Sequence, residues 1–329
     1  MNALVTGATG CVGSNLAELL VSKGHRVRAL VRPGSDTAFL QSLGVELWPG
    51  DLMDQESLGG AVRGVDVVFH CAAVVSDWAS LKEMRRVNVR GLELLLKACA
   101  AARIKRFVYT GSMVVLGMDR QDNLDESAPF VCTGDSYNIT KIEAEKLLRD
   151  FAARTGLPVT VLRAPYVYGP RDRQMFPRIL TYLRNGRYMY VAGGLNPITL
   201  VYAKNLAEGL LLAAESPRAA GQIYNITDGV SVTRRELIAR IANGMGFAQP
   251  HRSIPYPLAR VVCMLCELTA KILRLKSAPL LNRFRLKFMY THLTFDISKA
   301  RAHLGYGPSI PFERALQETI EWFRRQNVK

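Results

Sequence analysis

Along this chain, short runs of apolar residues alternate with longer stretches in which apolar positions recur every three to four residues. The runs at 3–6, 27–31, 45–48, 66–70, 106–110 and 159–163 have the length and the Val, Leu and Phe content of buried strands. The stretches between them near 11–23, 80–102 and 136–154 carry helical periodicity. Strands alternating with helices predict an α/β fold, a doubly wound parallel sheet covered by helices on both faces. Past residue 170 the alternation loosens into helices near 174–185, 233–244, 257–275 and 312–326 and one strand at 223–226. The expected organisation is a dinucleotide-binding domain over 1–170, to which 196–228 returns. A smaller C-terminal substrate-binding cap is expected mainly from 171–195 and 229–329. It should sit over the carboxyl ends of the strands, where open α/β sheets bind ligands.

The first strand runs into Thr6-Gly7-Ala8-Thr9-Gly10-Cys11-Val12-Gly13 and then opens a helix. Glycine permits a tight turn and close backbone approach, and a helix N-terminus offers N–H donors to a pyrophosphate. After the first strand of a βαβ pattern, three glycines spaced this way point to a Rossmann-type dinucleotide site. The second strand ends Leu30-Val31-Arg32-Pro33, with no carboxylate there to hold a ribose hydroxyl, and Asp36 comes too late. Arg32 suits a 2′-phosphate or stacks on adenine, which favours NADP, with NAD as the alternative. Asp51, followed by Leu52 after the third strand, can accept from the adenine amino group. Cys71, Ala72 and Ala73 are small residues at the end of the fourth strand, where a cofactor would pass closely.

Composition narrows the function classes. The chain has 329 residues, 49% of them apolar and 22% charged, which is ordinary for a globular protein. The N-terminus lacks a charged segment and a cleavage site, so no secretory signal is expected. Six scattered cysteines read as small buried residues in a reducing, cytoplasmic compartment. Cys263 and Cys266 have CxxC spacing but no second pair, so no metal site is expected. The net charge of +15 suits an anionic partner. No nucleic-acid motif accompanies it, and nucleic acid is not expected.

Tyr137 and Lys141, in Asp135-Ser-Tyr-Asn-Ile-Thr-Lys141, share one face of the third helix. An ammonium beside a phenol favours the phenolate, and a phenol so tuned can exchange a proton with a carbonyl/alcohol pair. Ser112, at the mouth of the fifth strand, can hold the reacting oxygen. Asn88, in Arg86-Val-Asn-Val-Arg-Gly91, would hold the backbone of the site through its amide.

With these motifs in order, the whole chain resembles the extended short-chain dehydrogenase/reductases. The resemblance rests on Thr6-Gly-x-x-Gly-x-x-Gly13, Asp51-Leu52, Asn88-Val, the serine motif, Tyr137-x-x-x-Lys141 and Arg163-Ala-Pro-Tyr-Val-Tyr-Gly-Pro170. It implies that Tyr137 is the general acid/base, that Lys141 grips the nicotinamide ribose and tunes the tyrosine, and that Ser112 binds the reacting oxygen. It also implies that Pro165 and Val167 touch the cofactor. A homodimer through the helices near 80–102 and 136–154 follows by the same analogy. The family usually reads Thr-Ser-Ser where this chain has Thr110-Gly111-Ser112. The catalytic position is kept and its neighbour is lost. Dehydratases of the family carry an Asp-Glu pair where this chain has Met113 and Val114, so elimination chemistry is not expected.

The last third separates the remaining branches. Residues 257–275 read PLARVVCMLCELTAKILRL, with Arg260, Glu267, Lys271 and Arg274 expected on one stripe and apolar residues around the rest. This suits an interfacial helix, a cap over an apolar ligand, or a buried packing helix. The basic and apolar run Leu280-Leu-Asn-Arg-Phe-Arg-Leu-Lys-Phe288 suits an anionic membrane surface, so peripheral membrane contact is expected through 257–290. With Gly169–Pro177, Val201–Ala207, Phe295–Ala300 and Leu304–Pro308, the layout resembles the 3β-hydroxysteroid dehydrogenase/isomerase-like branch. That branch implies an NAD(P)-dependent oxidoreductase acting on a small apolar substrate, a steroid-like or long-chain 3-hydroxy/3-oxo compound. The alternative is a nucleotide-sugar epimerase that retains NAD, with Arg171 and Arg173 clamping a diphosphate. A module that senses NADP without turnover is a third reading.

Overall fold

In the computed structural model, seven parallel strands form the central sheet: β1 (Asn2–Thr6), β2 (Arg26–Val31), β3 (Glu46–Pro49), β4 (Val67–His70), β5 (Arg106–Ser112), β6 (Val159–Ala164) and β7 (Ile223–Asn225). Residues 1–118, 121–273, 275, 279 and 281–327 are described. Across the sheet the order is β7-β6-β5-β4-β1-β2-β3, the doubly wound arrangement that the alternation predicts. Chain order reverses between β4 and β1, so a crevice opens beyond their carboxyl ends.

Side chains alternate across the strands, and each face is buried by its own helices. Leu4, Val68 and Phe107 point to the layer formed by α2 (Leu92–Ala101) and α3 (Ser136–Thr155), while Val5, Phe69 and Val108 join the opposite core with α1 (Cys11–Ser22). A helix that the loose periodicity after residue 170 does not disclose, Ala203–Glu215, packs Leu206 and Leu210 into that second core beside Leu16 and Leu20 of α1. Ile297, Ala300, Leu304 and Tyr306 enter it as well. A separate core joins the helices Met175–Arg184, Arg234–Met245 and Phe312–Asn327 through Phe176, Leu180, Ile241, Leu316 and Phe323.

Two departures from the expected pattern matter for function. The helical stretch near 80–102 is interrupted by a widened π-helical turn at Arg86–Gly91, and Asn88 sits inside it. Such turns recur at functional sites because they re-aim one residue of a helix. The amphipathic segment forms the helix Tyr256–Ile272, where Arg260 and Glu267, seven positions apart, share one side but differ in exposure. Arg260 is exposed, whereas Glu267 turns inward to pair with Arg283 at 2.9 Å. Arg274, Leu280 and the side chain of Lys271 lie outside the described residues.

Candidate active site

The crevice begins at the glycine turn. Gly7 adopts φ +69°, and a Cβ there would lie 2.7 Å from the backbone of Ala72. Only glycine lets the turn after β1 press against the Cys71–Ala73 run after β4. Gly10 donates its N–H to the Gly7 carbonyl at 2.9 Å and caps α1 without a side-chain hydrogen bond, and no acidic residue occupies the first turn of that helix. The N–H donors at Cys11, Val12 and Gly13 thus meet no competing carboxylate, which is what a bound pyrophosphate requires. Thr9 is half-buried at the same turn. The donor set fits a dinucleotide.

The outer end of the crevice is polar. Arg32 is exposed just past β2, and the turn there closes with Ser35 N–H donating to the Arg32 carbonyl at 3.1 Å. Asp36 is no substitute for a strand-end carboxylate, because it faces Arg173 at 3.5 Å. Asp51 accepts from the Met53 N–H at 2.8 Å, and Leu52 is buried beneath it. Arg171 is engaged elsewhere. It donates to Ser14 Oγ at 2.9 Å and Asn15 Oδ1 at 2.8 Å, and it pairs with Glu18 at 2.6 Å. A diphosphate clamp built from Arg171 and Arg173 would have to break all of these contacts.

Asn88, 3% exposed, matches both its amide groups to one residue of the loop after β4. Its Oδ1 accepts from Val74 N–H at 2.8 Å and its Nδ2 donates to the Val74 carbonyl at 3.0 Å. Its Nδ2 also reaches Thr140 Oγ1 at 3.3 Å, which ties the loop to α3.

Ser112, Tyr137 and Lys141 converge at the carboxyl end of β5. The helix that carries two of them starts at Asp135, whose carboxylate accepts from Asn138 N–H at 2.8 Å, and stops at Gly156 in the left-handed region. Burial pushes the Tyr137 phenol up to about 12, and a hydrogen bond with Ser112 partly offsets this. The expected lowering by Lys141 is absent from this state. Lys141 Nζ stands 6.0 Å from the Tyr137 ring centre and donates instead to Tyr109 OH at 3.0 Å and the Thr110 carbonyl at 3.1 Å. Burial in turn draws Lys141 down to about 8, and Glu145 opposes that shift.

Several partners escape the motif reading. Glu145 and Arg163 form a fully buried ion pair at 2.9 Å behind Lys141. Gly111, which departs from the usual serine, makes room for it, since a Cβ there would lie 3.2 Å from Glu145 Oε1. The spacing Tyr137, Lys141, Glu145 is itself a signal for that carboxylate, because residues four apart share a helix face. Asn138, wholly buried, donates to the carbonyls of Val114 at 2.7 Å and Val131 at 3.0 Å. Thr6 Oγ1 and His70 Nδ1 lie 2.7 Å apart and join the ends of β1 and β4; burial draws the imidazole down to about 3, so it stays neutral. Thr110 donates to Cys71 Sγ at 3.3 Å, and burial raises that thiol to about 11, far from a reactive thiolate. Pro165 and Val167 are half-buried just past β6, flanking Tyr166, which packs on Phe288 with ring centres 3.8 Å apart. Where dehydratases carry acids, Met113 is buried in the apolar turn that follows Ser112.

Residues 3–227 match the family described as "NAD dependent epimerase/dehydratase family". A 4-hydroxy-2-methyl-3-oxo-4-farnesyl-3,4-dihydroquinoline-1-oxide ketoreductase of Stigmatella aurantiaca is 33% identical over 96% of this chain and 95% of its own. A 2-alkyl-3-oxoalkanoate reductase of Stenotrophomonas maltophilia is 34% identical over 96% of this chain and 98% of its own. Among solved structures, UDP-glucuronic acid 4-epimerase from Bacillus cereus in complex with NAD superposes with a TM-score of 0.80 at 21% identity, covering 99% of each chain, a likeness of fold.

Proposed function

The chain belongs to the NAD dependent epimerase/dehydratase family as an enzyme of the extended short-chain dehydrogenase/reductase type, and from that premise we propose that it reduces the ketone of an apolar 3-oxo substrate, long-chain or steroid-like, to a secondary alcohol. The observation that supports this most is the meeting of Ser112, Tyr137 and Lys141 beside the glycine turn, with no carboxylate where elimination would need one. The nicotinamide supplies the hydride. The chain's own residues do the rest. Ser112 Oγ and the Tyr137 hydroxyl donate to the carbonyl oxygen, and the Tyr137 proton passes to that oxygen as the alcohol forms. A phenol held near 12 keeps its proton at neutral pH, which is the state that reduction needs. Lys141, a cation at neutral pH, places positive charge where the tyrosinate is left behind.

The relatives support the substrate class through their names, a farnesylated quinoline-oxide ketone and 2-alkyl-3-oxoalkanoates. Peripheral membrane contact through 257–290 and a homodimer belong to the same reading. Arg32 supports NADP as the cofactor. Replacing it with alanine should raise the KM for NADPH about 10- to 100-fold and leave that for NADH nearly unchanged, the scale of one charge-assisted hydrogen bond.

The test is NADPH consumption with long-chain 3-oxo compounds, a 3-ketosteroid and UDP-sugars. Stoichiometric loss with an apolar ketone supports the reading. Conversion of a UDP-sugar without net cofactor use replaces it with the epimerase. Tyr137→Phe should lower kcat about 10²- to 10⁴-fold while cofactor binding persists. An unchanged kcat would remove Tyr137 from the chemistry.

A further inference from the structure

The helix Tyr256–Ile272 is built inside out. It buries its small residues, Ala259, Cys263 and Ala270, and turns its large ones to solvent. Leu258, Val261, Leu265, Leu268 and Ile272, spaced three and four apart, form a continuous outward stripe and are 53–69% exposed. Val262 and Met264 widen it on both sides. At 100° per residue this apolar arc covers about half the helix circumference. A single partner helix buries a narrower seam than that. An apolar face this large on a protein surface calls for a covering phase.

Charge says which phase. Between residues 251 and 290 the chain has eight Lys and Arg and one carboxylate, Glu267. That carboxylate is neutralised by Arg283, so the outward face has no negative charge of its own, and the segment carries further exposed cations at Arg252, Arg260 and Lys287. Broad apolar exposure within a basic surround complements an anionic lipid surface. Among the described residues no helix is long and apolar enough to cross a membrane, so the helix would lie flat, spanning about 25 Å at 1.5 Å per residue.

The same segment is tied to the crevice. Asp77, in the loop that starts at Cys71–Ala73 and is held by Asn88, pairs with Arg285 and, at 3.4 Å, with Arg178. The Trp78 indole N–H donates to the Leu275 carbonyl at 3.4 Å. The loop that borders the site is thus joined at two consecutive residues to the chain that follows the helix, and that chain packs back on the helix through Arg283 on Glu267 and Leu286 beside Ala259 and Cys263.

We propose that the outward half of Tyr256–Ile272 docks on an anionic bilayer and that apolar substrate reaches the site from that bilayer, between this helix and the loop at 72–79. The second half rests on the ketone-reductase reading above. The experiment is flotation of the full chain with phosphatidylcholine vesicles, with or without phosphatidylglycerol, at low and high salt. In parallel, NADPH-dependent reduction is measured with a vesicle-borne long-chain 3-oxo ketone and with a short water-soluble one. The wild type should float with the anionic vesicles and be released by salt. Leu265→Glu/Leu268→Glu should bind them about tenfold less or worse. That variant should lose kcat/KM on the vesicle-borne ketone by a similar factor and retain it on the soluble one. A wild type that floats with neither vesicle overturns docking. So does a lipid-free dimer that the double variant converts to monomer, since a second copy would then cover the face. Equal effects on both ketones overturn entry from the bilayer. If the wild type reduces no ketone, entry falls with the reductase reading, while flotation still decides docking.

Discussion

Two helices of this protein break the usual rules of burial in opposite directions. The helix Ser136–Thr155 takes ionisable groups inside, with Lys141 and Glu145 each 3% exposed. The helix Tyr256–Ile272 leaves leucines outside, with Leu265 and Leu268 at 57% and 55%. Both arrangements cost stability relative to the reverse. They differ in how the cost is contained. In the first helix every buried charge has fixed partners: Lys141 has Tyr109 and Thr110, and Glu145 has Arg163. In the second, the apolar side chains of the outward stripe stay more than half exposed among the described residues. A buried charge with its partners in place belongs to a site already assembled, whereas an uncovered apolar face belongs to an interaction still to be made.

The sharpest way to break this contrast is to remove one partner of the buried pair. Arg163→Met leaves Glu145 buried beside Lys141 with its guanidinium gone. Loss of one member of a buried pair costs about 3–5 kcal/mol. Chemical denaturation should show a loss on that scale, and the double variant Arg163→Met/Glu145→Met should recover much of it. A double variant no more stable than the single would show that the pair is held by something other than mutual neutralisation.

How much of this was visible beforehand differs between the two helices. The sheet was legible because buried parallel strands are continuous apolar runs, and 3–6, 66–70 and 106–110 have no other plausible use. Ser112, Tyr137 and Lys141 were legible because their spacing is fixed by a strand end and a helix face. Arg163 was visible only as a motif residue, since nothing in a one-dimensional pattern says that a strand-end arginine folds back onto a glutamate 18 positions earlier. The upward shift of Tyr137 in this state is illegible for the same reason. Spacing placed an ammonium nearby, but burial and the competing acceptors Tyr109 and Thr110 are tertiary facts. On the amphipathic helix, periodicity gave an apolar side without saying whether it faced in or out. The packing of Ala259 and Cys263 on Val191 and Leu286 decides that, and those contacts are tertiary.

A second substitution separates charge from packing on the helix Ser136–Thr155. Burial holds the Lys141 ammonium down to about 8, below its ordinary 10.5, so between those values the unfolded chain binds a proton that the folded one does not. Stability from this group therefore rises with pH across that window and is lowest below pH 8. Lys141→Met removes this dependence, which is worth up to about 3 kcal/mol. It also leaves Tyr109 and Thr110 without a donor, at about 1 kcal/mol each. The variant should be about 1 kcal/mol more stable than wild type near pH 7, and the difference should reverse as pH approaches 10.5. A difference constant over pH 7–10.5 would mean that Lys141 is not held below its ordinary value. Turnover should be lost at every pH, the mark of a group kept for chemistry rather than for the fold.

The outward helix should respond least. Leu268→Gln removes an apolar side chain that contacts solvent, so in lipid-free buffer its unfolding free energy should stay within about 0.5 kcal/mol of wild type. Solubility should rise, because the change dilutes an exposed apolar stripe. The small number is informative because of where the residue sits. A leucine buried in the core cannot be exchanged for glutamine at that cost, and Leu148, 1% exposed on the helix Ser136–Thr155, is the internal control. Leu148→Gln should lose several kcal/mol through a buried amide without partners and a lost apolar contact. If Leu268→Gln were as damaging as Leu148→Gln, the outward face would already be covered in solution and the contrast between the two helices would disappear. If it is silent in buffer and costly only when vesicles are present, the face contributes nothing to the folded chain and its selective value lies in what it touches.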